Sequence, residues 1–79
     1  MTPNRYPSAY HHDLEVKRTV RHLAEGAITD GKIEWLAIFV HKRTPWAGQP
    51  IAWEDLSGKA RDEALDHAEW ALKNEKGLS

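Results

Sequence analysis

The sequence predicts a small, mainly α-helical domain of three helices, with a Trp/Pro loop between helices two and three. Apolar residues recur at helical spacing in two long segments, and prolines and a glycine cluster between them, at Pro45, Gly48 and Pro50. A chain of 79 residues is long enough for one domain only. We therefore expect a single domain over 1–79, with a thin hydrophobic core.

The first half begins with an extended arm and continues into an amphipathic helix. Pro3 and Pro7 predict that residues 1–8 are extended. From residue 9 to residue 29, apolar side chains recur at i, i+4, i+7, i+8 and i+11, namely Val16, Val20, Leu23, Ala24 and Ala27. Arg18 and Arg21 fall on the opposite face of this predicted helix, so we expect them to face solvent.

The central element, residues 31–43, contains the apolar run IEWLAIFV and admits two interpretations. In the favoured one, Asp30 caps a helix with four apolar residues on one face, Ile33, Leu36, Ala37 and Val40. In the alternative, Asp30-Gly31 forms the turn of a short hairpin, which would make the fold α+β. A hairpin needs a preceding strand, and the preceding residues have a helical pattern. Under either interpretation we expect this element to be the most buried.

Residues 44–56 are predicted to form an aromatic loop. Trp46 lies beside Pro45 at the probable tip, where we expect it to be exposed. Trp53 precedes the start of the next helix, where an aromatic side chain commonly anchors the incoming chain. Trp46 is therefore the better candidate for a partner contact.

The last helix is predicted over 57–76, with Ser57 as its N-cap and Gly77 as its C-terminal stop. Its small apolar face consists of Ala60, Ala64, Leu65, Ala68, Ala71 and Leu72, which predicts close packing on the central element. Trp70 falls nearly opposite this face, beside Glu63 and His67. Either Trp70 contacts a partner, or the loop or N-terminal arm folds over it to form a second small core.

The composition offers little chemistry. Cysteine is absent, and no phosphate-binding glycine loop, dinucleotide motif or nucleophile motif is present. The chain has five histidines, but their spacing brings no three or four ligands together. We expect no catalytic residues, no metal and no cofactor. The N-terminal residues contain no apolar signal segment and no run long enough to span a bilayer, so we expect a cytoplasmic protein without membrane contact.

The charge is nearly balanced, but it is distributed unevenly. The net charge is −1, which argues against a dedicated nucleic-acid binder. Residues 1–43 contain seven Lys/Arg and five Asp/Glu, whereas residues 44–79 contain four and seven. The first half is therefore basic and the second acidic, so partners of either sign are possible.

One stretch resembles a known family. The segments IEWLAIFVHKRTPW and IAWEDLSGKARDEALDHAEWAL, within residues 33–72, are similar to the small helical repeat of ryanodine receptors that also occurs in short bacterial and phage proteins. The residues that carry the resemblance are His41, Trp53, Leu56, Ser57 and Arg61, and Lys42 stands where that pattern usually has Glu. The resemblance implies a helical interaction module without a reaction of its own.

The function we expect is non-enzymatic protein binding, of the kind that phage-type inhibitors or adaptors exert on host or defence complexes. The candidate partner-binding residues are Trp46, Trp70, Glu63, His67, Asp62, Asp66 and Glu69. The main alternative is nucleic-acid binding through Arg18, Arg21, Lys42 and Arg43, with Trp46 stacking on a base. A further alternative is a homodimer formed through Trp70 and its neighbours.

Overall fold

A computed structural model describes residues 9–43 and 51–77, and these residues form four α-helices without a strand. The helices are α1 (Ala9–His12), α2 (Leu14–Leu23), α3 (Asp30–Arg43) and α4 (Gly58–Lys76), and a 3-10 turn spans Trp53–Asp55. The mainly α-helical prediction is therefore confirmed. The alternative with a hairpin around Asp30-Gly31 is wrong, because both residues lie in the first turn of α3. The predicted arm (1–8) and most of the predicted loop (44–50, with Trp46) lie outside the described residues.

The helix predicted over 9–29 is shorter and is divided in two. Asp13 has extended backbone angles and interrupts it, and its carboxylate accepts hydrogen bonds from Glu15 N (2.9 Å) and Val16 N (3.4 Å). An aspartate placed in this way satisfies backbone donors at the start of α2, which explains the break. Helix α2 ends at Leu23, and Gly26 follows with φ of +77°. Ala27, predicted on the apolar face, lies beyond this end and is exposed.

Helix α3 forms the centre of the fold. Thr29, rather than Asp30, closes its first turn, because the Thr29 hydroxyl accepts a hydrogen bond from Lys32 N at 3.2 Å. Leu36, Ala37 and Val40 are buried on one face, as the spacing predicts, and Ile33 packs against the edge of that face. The opposite face of α3, which includes Gly31, Trp35 and Lys42, is exposed, so the apolar run does not make the helix buried on all sides.

Helix α4 matches its prediction closely. The Ser57 hydroxyl accepts a hydrogen bond from Ala60 N at 3.1 Å, and Gly77 ends the helix with φ of +78°. Ala68, Ala71 and Leu72 are buried. The small alanine side chains allow α4 to lie close to α3, where Leu36 and Leu72 are fully buried.

Two lysines from other helices hold the C-terminal end of α2. Lys32 Nζ donates to Glu25 O (2.9 Å) and Ala27 O (2.8 Å), and Lys76 Nζ donates to Ala24 O (3.0 Å) and also contacts Gly26 O. The last carbonyls of a helix have no intrahelical partner, and the helix dipole makes this end negative, so ammonium groups stabilise it. The start of α3 and the end of α4 are thereby fixed to the same turn.

The core is one cluster to which all four helices contribute. Its fully buried larger side chains are Val16, Leu36 and Leu72, and α1 adds Ala9 and Tyr10. Burial raises the pKa of the Tyr10 phenol, because the anionic form would lose its hydration. Within the described residues, no helix combines the length and the apolar character needed to cross a bilayer.

Candidate binding surfaces

Trp70 is half-buried, and α1 lies beside it. The His11 ring of α1 is 6.2 Å from the Trp70 ring, measured between centroids, and Trp70 packs against the core cluster. His67, one turn earlier on α4, is also half-buried. A tryptophan on the far face of α4 therefore meets α1, and much of its apolar surface contributes to the fold.

The predicted acidic residues of α4 separate into two stripes. Asp62, Asp66 and Glu69 recur at i, i+4 and i+7 and share one face, whereas Glu63 lies on the face of His67 and Trp70. Asp62, Glu63 and Asp66 are exposed. Glu69 is half-buried, and its carboxylate is 2.7 Å from Lys73 Nζ. The structure therefore does not bring all the predicted partner contacts onto one surface.

Three of the four predicted nucleic-acid contacts form ion pairs with carboxylates of this chain. Arg18 lies 3.5 Å from Glu15, Arg21 lies 3.8 Å from Glu75, and Arg43 lies 2.7 Å from Asp13. The Arg43 guanidinium lowers the pKa of the Asp13 carboxyl, with help from the backbone N–H groups of Val16 and Glu15. Lys42 is exposed. The positive charges of Arg18, Arg21 and Arg43 are thus partly neutralised by carboxylates of the same chain.

The segment before α4 is held by Arg61. Its Nη2 donates to the carbonyls of Trp53, Glu54 and Leu56, at 3.4, 3.2 and 3.5 Å, and its guanidinium lies 5.9 Å from the Trp53 ring centroid. On the other side, the His41 ring meets the Trp53 ring edge-on at 5.8 Å. Trp53 therefore anchors the incoming chain, as its position before the helix suggests.

This corner also contains the residues that carry the resemblance to the ryanodine-receptor repeat. The His41 ring contacts the Trp53 ring, and the Trp53 ring contacts the Arg61 guanidinium. The Leu56 carbonyl accepts a hydrogen bond from Arg61, and Ser57 caps α4. Each of these residues already has an intramolecular task. The corner therefore stabilises the connection between α3 and α4, and its side chains offer little surface to a partner.

An exposed aromatic surface on α3 has no counterpart among the predicted sites. Trp35 is 54% exposed, and its ring stacks on Phe39 at 5.2 Å with an interplanar angle of 15°. The Arg43 guanidinium lies 5.6 Å from the Phe39 ring centroid, so the three side chains form a ladder along the outer face of α3. A helical projection could have found the aromatic pair, because Trp35 and Phe39 are spaced i and i+4 and Trp35 lies well away from the buried face of Leu36 and Val40.

Beside Trp35, residues of α2 and of the start of α3 line a groove of about 700 Å³ that is open to solvent. We call it the Trp35 groove, and its lining includes Arg18, Thr19, His22, Leu23, Lys32 and Trp35. Leu23 and Trp35 are its apolar walls, and Arg18 and Lys32 are its charged residues. A smaller depression of about 370 Å³ on the other side of α3 contains Asp30, Glu34 and Glu69. In the described parts of the chain, no three side chains are arranged to hold a metal ion.

Fold and surface together define a small helical domain with an exposed aromatic groove. No protein-family model, no curated protein and no solved structure matches the chain.

Proposed function

We propose that this chain is a non-enzymatic protein-binding module, and that its binding face includes the outer surface of α3. The observation that carries the proposal is the exposure of Trp35 beside an open apolar groove. A tryptophan side chain buries up to about 250 Å² in a contact, so covering the exposed half of Trp35 would remove about 125 Å² of largely apolar surface from water. Exposed aromatic anchors of this kind are typical hot spots of protein interfaces.

The more specific part of the proposal is that the module acts as a small inhibitor or adaptor of the phage type. Support comes from the small size of the chain and from the acidic stripe of Asp62, Asp66 and Glu69, which lies apart from the Trp35 groove. A stripe of carboxylates provides one physical route to inhibition, since it can occupy a basic channel that normally binds nucleic acid. An adaptor would use the groove and the stripe for two different partners.

Nucleic-acid binding has less support. Arg43 lies 2.7 Å from Asp13, so a phosphate would have to compete with this ion pair, and the net charge of the chain is −1. One face of Trp35 is covered by Phe39, which leaves at most the other face for a base. Trp46, the base-stacking residue of that hypothesis, lies outside the described residues.

The test is an affinity pull-down from native lysate with the tagged wild-type protein and with Trp35→Ala, each with and without nuclease. We expect the wild-type protein to capture a partner protein that is retained after nuclease treatment, and we expect Trp35→Ala not to capture it. The matched control is Ile51→Ala, which removes another exposed apolar side chain (46% exposed) away from the groove. Captured material that disappears with nuclease would instead identify nucleic acid as the partner and refute the proposal.

A further inference from the structure

We propose that the Trp35 groove binds an acidic, amphipathic segment of a partner protein. An apolar side chain of the segment inserts between Leu23 and Trp35, and flanking carboxylates contact Arg18 and Lys32. The proposal rests on the protein-binding function and adds the position of the site and the chemistry of its ligand.

The shape of the groove suits a segment of chain. It is formed by two neighbouring helices, α2 and α3, and is open to solvent along them. Grooves between helices commonly receive the apolar face of an amphipathic helix, whose anchors are spaced i, i+3, i+4 and i+7. Leu23 is half-buried and Trp35 is exposed, so both offer apolar surface to an incoming side chain.

The charge of the lining selects the sign of the ligand. The groove-lining residues include Arg18, Lys32 and His22 but no carboxylate. Lys32 Nζ is fixed in position by the carbonyls of Glu25 and Ala27. An ammonium group has three donors, and these two carbonyls use two of them, which leaves a third for a ligand carboxylate. Because Lys32 is already positioned, it loses little conformational entropy when the ligand binds.

Arg18 completes the basic rim. Its side chain is 78% exposed and approaches Glu15 through Nη1 at 3.5 Å, which is a weak, solvent-exposed ion pair. A guanidinium carries five N–H donors, so Arg18 can bind a second carboxylate while it stays near Glu15. A basic or neutral segment would desolvate Arg18 and Lys32 without supplying a carboxylate in return, which disfavours it.

The alternative occupant is a second copy of this chain, because α4 has an acidic stripe of its own at Asp62, Asp66 and Glu69. The Glu69 carboxylate already forms an ion pair with Lys73. Leu65, the apolar residue that borders the stripe at i+3 from Asp62, is half-buried. The stripe therefore lacks an exposed apolar anchor for the groove. A separate acidic segment with an apolar residue fits better, and sedimentation of the wild-type chain distinguishes the two.

The experiment is a selection from a random-peptide display library on immobilised wild-type protein, with removal of peptides that bind the support alone. We expect the enriched peptides to combine one or two large apolar residues with several Asp or Glu. A labelled peptide from this pool should bind Trp35→Ala about tenfold or more weakly, as expected for an aromatic hot spot. Circular dichroism would show that the variant is folded, and Arg18→Glu provides an independent variant on an exposed side chain.

Matched controls identify the cause of any loss. Arg18→Glu should weaken binding, whereas Lys59→Glu, which makes the same charge change at an exposed position on α4, should not. Enriched peptides that are neutral or basic would overturn the acidic ligand. A pool in which no peptide depends on Trp35 would overturn the groove as the site, even if the pull-down retains a protein, and would leave the protein-binding function intact. A labelled oligonucleotide that competes with the peptide, or a wild-type dimer dissociated by Arg18→Glu, would assign the groove to those occupants instead.

Discussion

At the scale of single residues, Asp13 has the most consequences for the fold. It ends α1, caps α2 through two backbone N–H groups and forms an ion pair with Arg43 at the end of α3. Three elements therefore meet at one carboxylate. The break has a local signal in the sequence, because Asp is a favoured N-cap residue and Asp13 stands three residues before Val16, where the apolar pattern begins. The prediction of one continuous helix does not use that signal.

The Asp13 carboxylate predicts a specific dependence of stability on pH. Its pKa in the folded protein is lowered, first by the hydrogen bond from Arg43. A lowered folded-state pKa means that the stabilisation is fully present above the ordinary carboxyl pKa, near about 4, and is lost as the pH falls through the folded-state value. We expect wild type to lose more stability than Asp13→Asn when urea unfolding is compared at neutral pH and at about pH 3.

Asn is the appropriate replacement because it keeps the capping oxygen and removes the charge. Asp13→Ala removes both, so at neutral pH it should be less stable than Asp13→Asn. Identical pH dependence in wild type and Asp13→Asn would show that the ion pair with Arg43 makes no contribution in solution.

Gly26 predicts a backbone effect without a change of contact. Its φ of +77° is one that side-chain-bearing residues rarely adopt, and an added Cβ would come no closer than 3.9 Å to Lys32 Nζ. Gly26→Ala should therefore lower the free energy of unfolding by about 1 kcal/mol through backbone strain alone. Gly58→Ala, at a helical position with open space around the new Cβ, is the control and should be neutral or stabilising. Equal unfolding midpoints in urea for both variants would contradict the strain argument.

At the scale of elements, the connection into α4 depends on one side chain. Arg61 binds three carbonyls of the 53–56 segment and lies over the Trp53 ring, while its Nε is buried without a hydrogen-bond partner among the described residues. Arg61→Lys keeps the charge but loses the planar donor group, so we expect a loss of about 1.5–3 kcal/mol in stability.

The measurement for Arg61→Lys is amide hydrogen exchange across 53–57. Loss of the Arg61 contacts should increase exchange in this segment more than in the middle of α4, because the segment has few other interactions with the core. The control is Lys59→Arg, an exposed substitution two residues earlier. Unchanged protection of the 53–57 amides in Arg61→Lys would show that Trp53 holds the segment by itself.

How far each element could be predicted depends on whether its limits are local. Ser57 and Gly77 delimit α4 by capping and by a positive φ, both local effects, and the sequence predicts them correctly. Leu36, Ala37 and Val40 likewise follow from helical spacing. The end of α2 has the same local signal, Gly26 with a positive φ, which a helix predicted to run to residue 29 leaves out. The attachment of this end to α4 has no local signal, because Lys76 contacts the Ala24 carbonyl across 52 positions of sequence. The same holds for the covering of Trp70 by α1 and for the groove beside Trp35, which depend on how the helices pack.

At the scale of the whole molecule, the small size limits how many large apolar side chains can be buried. A chain of 79 residues has a total stability of about 4–12 kcal/mol. Val16, Leu36 and Leu72 are the largest fully buried side chains among the described residues, and none is aromatic. Apart from Tyr10, which is buried in the core, the aromatic rings of the described residues lie at the edges of the core or outside it. Trp53 and Trp70 are half-buried and contribute to folding, whereas Trp35 is exposed.

Because the two tryptophans differ in burial, we expect their truncation to lower the free energy of unfolding by different amounts. Trp70→Ala removes packing against His11 and the core, so we expect the free energy of unfolding to fall by about 2 kcal/mol, somewhat less than for a fully buried tryptophan. Trp35→Ala should lower it by about 1 kcal/mol, because the side chain is 54% exposed and loses mainly its stack on Phe39. Urea unfolding of the two variants beside wild type measures both.

Sedimentation of the same three proteins tests the homodimer. If Trp70 acted chiefly in a dimer interface, wild type would sediment as a dimer and Trp70→Ala as a monomer that is as stable as the wild-type monomer. The contacts with α1 lead us to expect the reverse, a wild-type monomer whose stability falls on truncation without a change in mass. A small domain with little room for a core would then use its tryptophans in two ways, to enlarge the core at its edge and to offer an anchor outside it.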